Sequence, residues 1–230
     1  MKPLETVDST VAPNGVPVTL LRRGSDLFIH LDGEELMSTR TFESEEALAE
    51  LALRQLVDAR CPRVLIGGLG LGYTLRSALA LLPPHAEVTV VELLPAIIEW
   101  NREYVPTSRT ALSDPRVRVL AQDVNAVLAR TARSSYNAIL LDVDDGPSSV
   151  CFESNLGLYG RQGLAHLKEC LTTDGILAVW SAQSDPWFAK VMRKSGFDVR
   201  VETARGHRRK GARYSIFLGR VSGSCRKRRR

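Results

Sequence analysis

An α/β fold is predicted for this chain of 230 residues: a mostly parallel sheet with helices on both faces, an antiparallel closing pair, and a small β-rich region in front. Three observations predict it. From Cys61 onward, apolar runs of strand length alternate with amphipathic segments of helix length, the pattern of repeated β-α units. The strand runs are nearly continuous in apolar residues, as strands covered on both faces are. A glycine-rich turn, "GGLGLG" at 67–72, joins the first such strand to the first helix, at the sheet edge where open α/β sheets bind ligands.

The elements run in order along the chain. The first forty residues read as strands and turns, with two β-rich runs, "VPVTLLRR" and "LFIHLDG", joined at Gly24-Ser25-Asp26. That is too little to form its own core, so it is expected to pack on the larger β-α region C-terminal to it. "SEEALAELALRQLVDA" reads as a helix with Ser44 as its N-cap and acids in its first turn. Then come the strand "RVLIGG" with the helix "YTLRSALALL", stopped by two prolines, and the strand "EVTVVE" with the helix "PAIIEWNREY". "RVRVL" leads to "VNAVLARTA", "YNAILLD" to "GRQGLAHLKECL", and "GILAVWS" to "PWFAKVMRKSG". "FDVRVET" and "ARYSIFLGR" close the sheet around a basic loop.

Composition bounds the function. Apolar content of 44% and charged content of 25% are those of a soluble globular protein, and no stretch has the length of a membrane span. "MKPLETVDST" lacks the apolar centre of a signal peptide. Four scattered cysteines and four scattered histidines have no metal-ligand spacing, so reduced thiols, a cytoplasmic setting and no metal are expected. The formal charge of +5 is uneven, concentrated in "RGHRRKGAR" at 205–213 and "RKRRR" at 226–230. Few aromatics are identifiable beside these cations, which disfavours a nucleic-acid partner.

The residues that carry chemistry fall at successive strand ends. Gly68, Gly70 and Gly72, spaced G-x-G-x-G, let backbone approach a ligand and aim N–H groups at it. Glu92 ends the second strand, where an acid accepts the two hydroxyls of a ribose. Asp123 follows the third strand and suits either an adenine amine or a helix N-cap. After the fourth strand, "LLDVDDGPSS" places Asp142, Asp144 and Asp145 where the reactive end of a nucleoside ligand would point. Carboxylates there suit a cationic amine or sulfonium, and can take the proton that an ammonium of pKa about 10 must lose before it attacks. Asp144 and Asp145 fit equally the shaping of the turn at Gly146-Pro147.

With these motifs the chain resembles the spermidine synthase family of aminopropyltransferases, through "RVLIGGLGLGYTLRSAL", "VTVVELLPAIIEWNREYV", "RVRVLAQDV", "YNAILLDVDDGP" and "LYGRQGLAHLKECLTTDGILAVWS". The resemblance runs from about Leu27 to Leu218. It implies a Rossmann-like class I methyltransferase fold behind a small N-terminal β domain. The organisation expected is a β-hairpin region over 1–43, a linking helix over 44–60, a donor-binding catalytic domain over 61–220 and a disordered basic tail over 221–230. By resemblance, Asp142 matches the catalytic aspartate and Asp145 its neighbour that helps hold the acceptor, while Glu92 and Asp123 match the ribose and adenine acids. Asp144 and Tyr159 are further candidates for shaping the acceptor pocket.

The chain departs from the family at three places. Leu71 stands where the glycine loop carries an aspartate that grips the donor's amine, Leu36 in "LDGEEL" where a donor-side glutamine follows the strand, and Leu48-Ala49 where a Tyr-His pair lies. The reading is a transferase that uses S-adenosylmethionine or its decarboxylated form to alkylate a small-molecule acceptor. A small-molecule methyltransferase and a non-catalytic nucleoside- or nucleic-acid-binding protein are the alternatives. A homodimer is left open and no membrane partner is expected. Without an acid at Leu71, intact S-adenosylmethionine is expected to bind at least as well as the decarboxylated donor.

Overall fold

The computed structural model describes residues 2–56, 60–143, 146–147, 155–207 and 210–222. Of the expected tail over 221–230, Val221 is the last residue of the final strand and 223–230 lie outside the described residues, as do Asp144 and Asp145.

The N-terminal region holds four strands rather than two: β1 (Glu5–Val11), β2 (Pro17–Arg23), β3 (Asp26–Leu31) and β4 (Glu34–Ser38), antiparallel in that order. The register sets Val18 opposite Leu31 and Leu20 opposite Ile29. Val18, Leu20, Leu27 and Ile29 are buried in one cluster with Leu71, Leu94, Ile97 and Ile98, so the small sheet shares its core with the large one. The indole of Trp100 donates to the Asp8 carboxylate at 2.6 Å across the same junction.

The large sheet has seven strands in the order β10-β11-β9-β8-β5-β6-β7. These are β5 (Arg63–Gly67), β6 (Glu87–Glu92), β7 (Val117–Ala121), β8 (Tyr136–Leu141), β9 (Leu171–Ser181), β10 (Phe197–His207) and β11 (Lys210–Val221). β5 to β9 are parallel, and β11 pairs antiparallel with both β9 and β10. Alternate residues of β5 enter opposite cores: Val64 and Ile66 join one face, Leu65 the other. That two-sided burial is why the strands read as continuous apolar runs.

The helices are α1 (Glu43–Leu53), α2 (Tyr73–Leu81), α3 (Pro95–Tyr104), α4 (Pro106–Leu112), α5 (Val124–Ala129), α6 (Leu156–Tyr159), α7 (Arg161–Cys170) and α8 (Pro186–Lys194). Ser44 is not the N-cap of α1. The helix starts two residues earlier, with Phe42 at the cap position, and the Ser44 hydroxyl donates to the Glu45 carboxylate instead. This start puts Ser44, Glu45, Leu48, Ala49 and Ala52 on the buried face. The short α4 was not expected; Pro106, which cannot continue α3, opens a new helix as its first residue. The basic stretch 205–213 is not a loop either. β10 and β11 run through most of it as hairpin arms, with Arg205 opposite Arg213 and both exposed.

Candidate active site

A cavity of about 340 Å³ opens at the carboxyl ends of β5 to β8. β4 and the first turn of α1 cover it, and β9 and β11 wall one side. Five acids line it (Glu35, Glu45, Glu92, Asp123 and Asp142), and no Lys, Arg or His stands among the described lining residues.

The glycine loop reaches this cavity through Gly68 and Gly70. Gly68 has φ +88°, and its N–H donates to the Val91 carbonyl at 2.8 Å. A Cβ there would fall on the carbonyl oxygen of Asp142, so glycine is required for the loop to lie against the end of β8. At Gly70 the corresponding space holds the tip of Met37. Gly72 is a correction to the expected site: it lies outside the cavity lining and faces Ser108 of α4, serving the packing of α2 on α4.

Glu92 ends β6, only 6% exposed, and accepts from the backbone N–H of Leu69 and of Leu94, each at 2.9 Å. It therefore braces the glycine loop from below. Burial pushes its carboxyl up, against the lowering effect of these N–H groups. Asp123 accepts from the Asn125 N–H at 2.7 Å as the N-cap of α5 and lines the cavity as well, so its two candidate roles coincide in space.

Asp142 follows β8, half-buried, with its N–H bonded to the Gly67 carbonyl at 2.9 Å. Its carboxylate accepts from the Thr74 hydroxyl at 3.1 Å. Burial raises its carboxyl to about 6, with Thr74 opposing. Opposite it stands Glu45, 7% exposed, raised to about 7 by burial first and by the charge of Asp142 second.

Tyr159 is a second correction. It is 5% exposed and packs edge-on against Phe188, ring centroids 5.7 Å apart, in the core on the far face of the sheet rather than in the cavity. Leu71 is a third: it is 1% exposed in the shared core and does not line the cavity, so the expected donor preference loses its basis. Leu36 does line the cavity, whereas Leu48 and Ala49 are fully buried on the inner face of α1.

Sequence reasoning missed Glu45, Trp180 and Tyr214. Glu45 had a signal: it continues the apolar stripe of Leu48, Ala49 and Ala52 at helical spacing, an unusual place for an acid. Trp180 and Tyr214 become neighbours only through strand register. Trp180 pairs with Ile216, which puts Tyr214 diagonally across on the same face, with rings 5.0 Å apart.

The parallel core, the antiparallel closing hairpin and an acid-lined cavity at the strand ends define a Rossmann-like class I methyltransferase fold. Solved structures share it. A spermidine synthase from Thermotoga maritima superposes with a TM-score of 0.76 at 17% identity, covering 94% of this chain and 73% of that one. A spermidine synthase in complex with the transition-state analogue AdoDATO gives 0.75 at 17% identity, over 94% and 72% of the two chains. The model of the spermine/spermidine synthase domain matches residues 41–197, and the chain belongs to that family. A polyamine aminopropyltransferase of Shouchella clausii is 34% identical over 128 residues, which is 54% of this chain and 42% of that protein. Putrescine N-methyltransferase 3 of Nicotiana tabacum is 30% identical over 114 residues, 49% of this chain and 29% of that protein. The match thus spans less than half the length of either relative.

Proposed function

We propose that the chain is a transferase of the aminopropyltransferase type, moving an alkyl group from a sulfonium nucleoside to a small amine. The observation that carries it is a cavity at the strand ends lined by five acids and, among the described residues, no cation, which suits a positive donor and a positive acceptor together. When bound, the sulfonium supplies an electrophilic carbon and a thioether leaving group. The residues of the chain align, hold charge and handle protons. Glu92 would hold the ribose: its carboxylate lines the cavity and is fixed in place by the Leu69 and Leu94 N–H groups. Asp123 would reach the adenine side, and Asp142 would orient the acceptor amine and take its proton. Asp144 and Asp145 are proposed to extend the acceptor side.

The decarboxylated donor is the better fit, because a free carboxylate would share the cavity with five acids and, among the described lining residues, no lysine or arginine to pair with. A second reading, methyl transfer from intact S-adenosylmethionine to putrescine, is favoured by the likeness to putrescine N-methyltransferases. Incubation with putrescine and either donor, with product identification by mass spectrometry, separates them. Spermidine from the decarboxylated donor supports the first reading and N-methylputrescine from the intact one the second. Neither product, with no binding of methylthioadenosine, rejects both.

A further inference from the structure

We infer that Glu45 and Asp142 work as one proton-sharing pair at the acceptor end of the cavity, with Glu45 a second proton-holding group of the reaction. This rests on the transferase reading above. Four observations place the pair. Both residues line the same cavity. The Thr74 hydroxyl lies between their segments, 3.1 Å from the Asp142 carboxylate and 3.3 Å from the Glu45 carbonyl oxygen, so α1 and the end of β8 are held in register by one side chain. Glu45 is buried on the inner face of α1, not on the solvent face where first-turn acids serve the helix dipole. No cation neutralises either carboxylate among the described residues: Arg76 of α2 is taken by Glu46.

The surroundings sharpen this. The charges acting on Glu45 are Asp142 from β8 and Glu43 from its own helix, both negative. Tyr73 of α2 stands near Glu45 and Glu46, with Arg76 on its own helix, while β9 and β11 bring Trp180 and Tyr214 to the cavity. Two carboxylates so placed cannot both ionise without cost, and the pair retains a proton near neutrality. Their raised values, about 7 and about 6, agree.

The chemistry balances simply. An entering primary ammonium gives one proton to the pair, so ammonium and carboxylate become amine and carboxylic acid. The freed lone pair forms the new N–C bond as the C–S bond breaks with its electrons left on sulfur. The product leaves as a secondary ammonium, and the pair returns its proton to water. Glu45 doubles the proton capacity where Asp142 alone would have to be fully ionised beside a buried acid.

Two measurements test it. In the first, kcat/KM with decarboxylated S-adenosylmethionine and putrescine is followed against pH for wild type, Glu45→Gln and Asp142→Asn. Glu45→Gln should lose roughly tenfold in rate and move the acidic limb to lower pH, because the remaining acid titrates without its partner. Binding of methylthioadenosine should not change. The second needs no turnover. An acid whose folded pKa is raised stabilises the fold below its unfolded pKa, and that stability is lost as pH rises through the folded value. Wild-type Tm should therefore fall between about pH 5 and about pH 8 more steeply than that of Glu45→Gln. Parallel Tm slopes in the two proteins, or an unshifted limb, would overturn the pair. Absence of wild-type turnover with either donor, together with a steeper wild-type slope, would reject the transferase reading and leave the pair standing.

Discussion

The cavity has two halves built in different ways. The half along β5, β6 and β7 is made of backbone turns and strand-end acids, Gly68, Gly70, Glu92 and Asp123, each within a few residues of the strand that positions it. The half around Asp142 is assembled from distant segments: Glu35 and Leu36 from β4, Glu45 from α1, Trp180 from β9 and Tyr214 from β11. The first half is a local consequence of strand-turn-helix geometry. The second exists only once the small sheet and α1 have packed over the large one.

The sharpest way to break this division is Leu71→Asp. If Leu71 belonged to the nucleoside half, the acid would face the donor and raise preference for its decarboxylated form. Buried in the shared core, it should instead cost on the order of 3–5 kcal/mol as an unpaired charge, or roughly 10 °C in Tm for a chain of this size. Calorimetric unfolding distinguishes the two, and a stable variant with altered donor preference would return Leu71 to the cavity.

Gly68→Ala tests the seam between the halves. Positive φ and a Cβ directed at the Asp142 carbonyl should cost ~3 kcal/mol and displace Asp142. Thermal melts should show the loss, together with weaker turnover. Asp142→Asn keeps the shape and should leave Tm within a few degrees while lowering kcat ~10²-fold, read by product formation under saturating donor. Equal turnover would move the chemistry elsewhere.

Glu92→Gln sets the scale for the nucleoside half. It keeps one oxygen acceptor for the loop N–H groups and removes the charge, so methylthioadenosine should bind ~1–2 kcal/mol more weakly by titration calorimetry. Unchanged affinity would leave Glu92 with the structural role alone. The smallest effect is expected from Trp180→Leu, which loses the contact with Tyr214 and should destabilise by ~1 kcal/mol in denaturant unfolding, without altering nucleoside binding.

What the sequence determined by itself is whatever short range decides. Alternation of buried strands with amphipathic helices specified the parallel sheet, since period and burial are written in adjacent residues. Glu92 and Asp123 were legible because a strand end fixes where its last residue lies. The tertiary structure alone decided the rest. Tyr159 turned to the far core because a buried aromatic gains more from packing against Phe188 than from a polar rim. Gly72 serves α4, a helix hidden from sequence reading by the proline that starts it. Glu45 reads as an ordinary first-turn acid until the rotation of α1, set by Leu48, Ala49 and Ala52 seeking the core, carries it inward to face Asp142. Its direction is a property of how two sheets and a helix share one apolar interior, which no local pattern contains.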